Sequence, residues 1–293
     1  MAAIVAGAVP AFAADTAADV ATRQLLEQLD ERKMPDIALW VLERVTADPA
    51  ASAELKAEVP FRRAQALVAQ SRTEADGKRR AALFDDAQAQ IDEFLKSAPQ
   101  GRVAIDAYTQ KGNLLIERGR MRLEQAKRPG ADVNALRKEA IGYFDEAIKA
   151  LEGKVKPGEE IKQIDNAEDA VVKEFREAKA RIAALKPNED DAGKDGGKDK
   201  KPAIKKPVRR DPKVEKELER LEADQEAIQA KLVQTRLMIA SAYFEKAKAF
   251  DEGSKEWTAT LEASTKQFKE IADKYPTYGG GVMARYYQGR NLA

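Results

Sequence analysis

Nine residues between Val214 and Ala242 follow one another at alternating steps of four and three: Val214, Leu218, Leu221, Gln225, Ile228, Leu232, Thr235, Ile239 and Ala242. This spacing keeps side chains on one stripe of an α-helix and excludes a strand, whose faces alternate at every residue. It predicts one long helix over 213–250, with a heptad seam weakened only by Gln225 and Thr235. An apolar stripe of that length has to be covered, either by a second copy of the chain in a coiled coil or by neighbouring helices of the same chain.

The same period recurs along the rest of the chain, interrupted by proline and glycine. Residues 15–32 read as a helix carrying Val20, Leu25, Leu26 and Leu29, with Asp15 or Thr16 as cap. Met34-Pro35 breaks it, and Pro35 suits the first turn of a helix with Ile37, Trp40, Val41 and Val45. A second pair follows over 55–73 (Phe61, Ala64, Leu67, Val68) and 78–97, where Ala87, Ile91 and Phe94 precede Pro99. A third covers 103–127 and 132–151, with Ile105, Tyr108, Gly112, Leu115, Gly119 and Arg122 on one stripe of the first helix and Ala140, Phe144 and Ala147 at helical spacing on the second. Glycine inside a helix costs about 1 kcal/mol relative to alanine, so Gly112 and Gly119 point to close approach of a neighbouring helix. Residues 159–185 read as a further helix with no evident partner. At the C-terminal end, Ser264, Phe268 and Ile271 share a face, Tyr275-Pro276 stops the helix, Thr277 to Gly281 forms a turn, and a last helix resumes with Ala284, Tyr287 and Gly289.

Ala87-x3-Ile91-x2-Phe94-x4-Pro99, Tyr108-x3-Gly112-x2-Leu115, the trio Ala140, Phe144 and Ala147, and Phe268, Ile271 and Pro276 followed by Tyr287 and Gly289 resemble the tetratricopeptide repeat. The resemblance covers roughly 16–153 and 236–293 and is closest to bacterial exported and envelope members of that family. Pro49 and Pro99 lie 50 residues apart, against about 34 in the standard repeat, so the helices are expected to be extended. The resemblance implies an all-α fold, an irregular solenoid of antiparallel helix pairs with extended helices and one disordered charged insertion. It also implies a non-catalytic scaffold or adaptor that binds other proteins in a groove. A structural coiled-coil protein that self-associates through 213–250 is the rival reading, and a cytoplasmic adaptor of the same repeat type is a second one.

Composition narrows the chemistry. The chain has no histidine and no cysteine, which removes thiolate metal sites, cysteine nucleophiles, disulfides and histidine-based triads. Lys+Arg 51 against Asp+Glu 50 leaves no global field to draw in nucleic acid. We assign no catalytic residue, no metal site and no cofactor. Three charged or glycine-rich stretches read as solvated segments. The basic run from Lys200 to Arg210 has no aromatic residues for stacking. Glu189-Asp190-Asp191 lacks calcium-loop spacing, and Gly279-Gly280-Gly281 lacks a phosphate-loop context and reads as a flexible turn.

Residues 1–13, with the apolar run Ala2 to Ala13, look like the end of a secretory signal cleaved after Ala13, although the first basic residue is Arg23. The alternative is the apolar end of a helix. The signal reading places the protein in the periplasm or cell envelope, and its absence would leave it cytoplasmic. No transmembrane segment is expected in the mature chain. The expected division is 14–186 as helical repeats, 187–212 as a disordered charged linker and 213–293 as the long helix plus a hairpin, with the array continuing beyond residue 293. Charge and proline content make 187–212 unable to bury enough apolar surface to offset its ordering entropy.

Overall fold

The computed structural model describes residues 16–97, 101–154, 159–162, 164–185 and 212–292, with only the backbone of 291–292. The apolar start at 1–13, the segment 187–211 and Pro99 lie outside the described residues. Among the described residues ten α-helices pack against their neighbours and no strand is present, so the fold is all-α. None of these helices is long and apolar enough to cross a membrane. The chain divides into two units, one ending at Phe94 and one beginning at Leu95.

The first unit contains α1 (Ala17–Glu31), α2 (Pro35–Ala47), α3 (Ala53–Thr73) and most of α4 (Gly77–Lys96). Thr16 caps α1: its hydroxyl accepts from the Asp19 amide at 3.1 Å, and the Asp19 carboxylate accepts from the Thr16 amide. The α1–α2 turn is closed by bonds from the Lys33 and Met34 amides to the Asp30 and Leu29 carbonyls, with Lys33 in the left-handed region at φ 56°. Leu26 and Leu29 of α1 pack with Ala38, Val41, Leu42 and Val45 of α2 and with Leu55, Val59 and Ala66 of α3. The expected apolar faces differ in detail, because Val20, Leu25, Ile37 and Trp40 are exposed. The core lies among α1, α2 and α3, and Trp40 instead carries the Arg44 guanidinium over its ring. Phe61 of α3 stacks on Phe94 of α4 with centroids 5.4 Å apart.

The second unit contains α5 (Gly101–Ala126), α6 (Val133–Leu151), α7 (Ala167–Leu185), α8 (Pro212–Ala247), α9 (Lys255–Lys274) and α10 (Gly279–Leu292). Pro212, the last residue of the expected linker, opens α8. α5 and α6 are antiparallel and unusually close. A Cβ on Gly112 would lie 2.4 Å from Leu151 Cγ, and one on Gly119 would lie 2.6 Å from the Phe144 ring. Both partners are fully buried, so the glycines are there to let the helices approach.

α7 starts at Ala167 rather than at Glu159, because Asn166 caps it by accepting from the Asp169 amide at 2.8 Å. It takes up the path along α5 where α6 leaves off. Arg122, Gly119 and Gly112 of α5 face Glu139, Phe144 and Leu151 of α6, and then Tyr108 and Gly101 face Ile164 and Glu174. The two helices thus behave as one long partner of α5, interrupted where the sequence holds Gly153, Pro157 and Gly158.

α8 runs parallel to α5, as the ion pairs Arg102–Asp224, Lys231–Asp106 and Arg120–Glu245 show in sequence order. It is antiparallel to α6, with Lys246 bridging to Asp145, and to α7, with Arg236 bridging to Glu168. The heptad seam is covered within the chain: Leu218, Ile228, Leu232, Thr235, Ile239 and Ala242 are all buried, and Ile228 and Leu232 share a cluster with Ala104, Ile105, Ala170, Val171 and Ala178. α9 returns along α8, where Ser264 donates to the Ala240 carbonyl at 2.9 Å. α10 then packs on α9 and α8 through Ala284 and Tyr287.

The triple glycine is not the flexible turn its composition suggests. α10 begins at Gly279, and the turn is confined to 276–278. A Cβ on Gly280 would meet Val233 Cγ1 at 2.3 Å, and one on Gly281 would stand 1.8 Å from the Tyr275 carbonyl oxygen.

Three glycine-to-alanine variants separate helix propensity from packing. G142A, on the exposed side of α6 with nothing within 4 Å of the added carbon, is expected to stabilise the unit by about 1 kcal/mol in denaturant titration. G112A and G119A are expected to destabilise it by about 1–3 kcal/mol despite the same gain in propensity. Equal stabilisation by all three would contradict the close approach of α5 and α6.

Candidate functional site

Because α7 and α8 extend beyond the end of α9, the groove between them is open where α9 stops. α9 occupies the neighbouring part of α8 as far as Tyr275. Beyond it lies a cleft of about 540 Å3, lined by Gly153, Val172, Phe175, Arg176 and Lys179 from the α6–α7 side, Gln229, Leu232 and Arg236 from α8, and Lys274 and Tyr275 from the end of α9. The clefts at α1–α3 and at α5, α6 and α8 are smaller, about 220 and 250 Å3. A shallower apolar groove of about 340 Å3 follows Trp257, Leu261 and Thr265 on α9.

The two ends of the main cleft differ in charge. At one end Glu168 and Asp169 accept hydrogen bonds from neighbouring residues. Glu168 pairs with Arg236 at 2.8 Å and accepts from the Gly153 amide at 3.1 Å. The Asp169 carboxylate accepts from Asn166 Nδ2 at 2.7 Å and from the Lys154 amide at 3.3 Å. Lys154 also binds Asp165 at 2.8 Å, which holds the Asp165 carboxyl below its ordinary range. This network ties the start of α7 to the end of α6.

The other cations on the lining lack acidic partners among the described residues. Arg176 donates to the Glu159 backbone carbonyl, and Lys274 lies 5.6 Å from the centre of the Tyr275 ring. Among the described residues neither of these, nor Lys179, pairs with a carboxylate. Tyr275 is 6% exposed, and its hydroxyl makes no hydrogen bond among the described residues. Val172, Phe175 and Leu232 supply an apolar floor between the two ends.

Next to this cleft, where α6 ends, Glu152 is half-buried. Tyr243 donates to it at 2.8 Å and Gln267 at 3.3 Å. Burial raises the Glu152 pKa, the Tyr243 hydrogen bond lowers it, and the charge of Glu168 raises it again, leaving it above the ordinary value. Burial, together with the Glu152 carboxylate, pushes the Tyr243 hydroxyl well above its usual range. Tyr243 is therefore a permanent donor that bridges α8 to α6.

The repeat-signature residues sit elsewhere. Ala87, Ile91 and Phe94 are buried on α4, and Pro99 lies outside the described residues. Gly112, Leu115, Ala140, Phe144 and Ala147 form the α5–α6 contact, and Tyr108 donates from α5 to the Ile164 carbonyl at 3.1 Å. Phe268 and Ile271 are buried between α8, α9 and α10, where Phe268 stacks on Tyr287 at 5.4 Å. Pro276 marks the α9–α10 turn, and Gly289 is exposed with open space around it. None of the described ones lines the cleft. The cleft residue Tyr275 stood out in the sequence only as a helix stop, and Phe175, Lys179 and Lys274 carried no pattern that pointed to a site.

No protein-family model, curated protein or solved structure matches the chain.

The Glu152–Tyr243 pair gives a pH-dependent expectation. A carboxyl whose folded pKa is raised contributes stability at low pH, and that contribution is lost as pH rises through the folded value. Glu152→Gln keeps the acceptor and removes the charge. It should melt at or above the wild-type temperature at pH 8, and the gap should close as pH falls below the ordinary glutamate range. Tyr243→Phe removes the donor and should cost about 1–2 kcal/mol at neutral pH, since both groups are only half-buried. A less stable Glu152→Gln protein at pH 8 would overturn this assignment.

Proposed function

We propose that the chain is a non-catalytic scaffold of the tetratricopeptide type that binds other proteins, exported to the cell envelope. The observation that carries this reading is the order of packing in the second unit. α5 and α8 run parallel as first helices, α6 with α7 and then α9 return antiparallel as second helices, and α10 opens the next step against both α8 and α9. Stacked helix pairs of this kind leave grooves between neighbours that accept a peptide or a helix. The extended helices fit the 50-residue spacing of Pro49 and Pro99.

The rival reading, self-association through 213–250, needs a free seam. Six of the nine seam residues are already buried against helices of the same chain, so the internal reading is the better supported. Export rests on the sequence of residues 1–13 alone, and mass spectrometry of the mature protein tests it. Ala14 is expected as the first residue, and an intact Met1 would return the protein to the cytoplasm.

A photo-crosslinking amino acid introduced in the native cell tests the scaffold reading. At Lys179 in the cleft it is expected to give discrete adducts with other proteins, and at Lys138 on the outer face of α6 it is expected to give none. Adducts at neither position, with the protein present at normal levels, would overturn the reading.

A further inference from the structure

We propose that the cleft between α7, α8 and the end of α9 is a docking site for an acidic peptide segment bearing an aliphatic or aromatic anchor. The proposal rests on the scaffold reading and names the chemistry of the partner.

Two observations point the same way. The first is continuity. α9 covers the apolar side of α8 through Phe268, Ile271, Ala272 and Tyr275 and then stops, while Leu232 of α8 and Phe175 of α7 extend the same apolar surface into the open cleft. A segment lying in line with α9 would continue an interface the fold already uses. The second is charge. Arg176, Lys179 and Lys274 border the cleft without carboxylate partners among the described residues, and of the two carboxylates on its lining Glu168 is paired with Arg236, so the lining carries more cations than anions. The field inside the open part is therefore positive, although the chain as a whole carries only +1.

The division of labour follows from these positions. Val172, Phe175 and Leu232 receive the anchor side chain, and the area removed from water supplies affinity. Arg176, Lys179 and Lys274 meet flanking aspartates or glutamates, which set specificity and speed association. A basic segment meets three like charges and is rejected.

Fluorescence anisotropy on the full chain tests the site. The probe is a labelled peptide of about ten residues with a central Leu-Phe flanked by glutamates. Saturable binding is expected, weakened by added salt and by replacing Leu-Phe with Ala-Ala. The double variant K179E/K274E should weaken binding by about tenfold or more, since it reverses two charges at the site. The double variant K138E/K149E on exposed α6 positions makes the same change in net charge and should bind like wild type. All four substitutions are at exposed side chains, so the fold is retained. Absence of saturable binding to wild type, or equal loss in both double variants, would overturn the inference. Adducts at Lys179 in the native cell together with no binding of the acidic peptide would sink this partner chemistry and leave the scaffold reading standing.

Discussion

α8 is a helix of 36 residues whose apolar stripe no single neighbour is long enough to cover. Everything in the larger unit depends on how that stripe is shielded from water. The fold divides the task. α7 and the start of α5 cover its middle, α6 and the rest of α5 approach the C-terminal half, and α9 takes the adjoining face. Burial of Ile228, Leu232 and Ile239 then fixes where α5 must run, and the ion pairs along α5 and α8 set the register rather than the stability, since exposed pairs contribute little.

The same demand explains the interruption between α6 and α7. A continuous second helix would be too long to follow both α5 and α8 without a bend. The chain breaks after Leu151 and restarts at Ala167, and a tight polar network of Asn166, Asp169, Glu168, Gly153 and Lys154 holds the two ends together. Its effect is positional: it aims α7 past the end of α9 and so opens the cleft.

Much of this was legible in the sequence. The four-three spacing located the helices, Thr16, Pro35 and Tyr275-Pro276 located their ends, and Gly112 and Gly119 announced the close helix pair. Less legible were features decided by tertiary packing. Val20, Leu25, Ile37 and Trp40 fit an apolar period but lie outside the buried stripe. Asn166 overrode a periodicity that seemed to run on from Glu159, because a side-chain cap stops a helix more firmly than pattern extends it. The cleft was invisible because its residues come from three helices, and its lysines look like any solvated face until their neighbours are known.

The glycines at the start of α10 show where the architecture is least tolerant of change. Side-chain contacts in a core can adjust by rotamer shifts, but the neighbour of Gly281 is a backbone carbonyl, which has no rotamer to change. Of three adjacent, chemically identical residues, Gly279 is replaceable and Gly281 is not. Robustness to mutation in this chain is therefore set by backbone spacing at one corner. Sequence drift could remodel most of the helix surfaces while the corner between α9 and α10 stayed fixed.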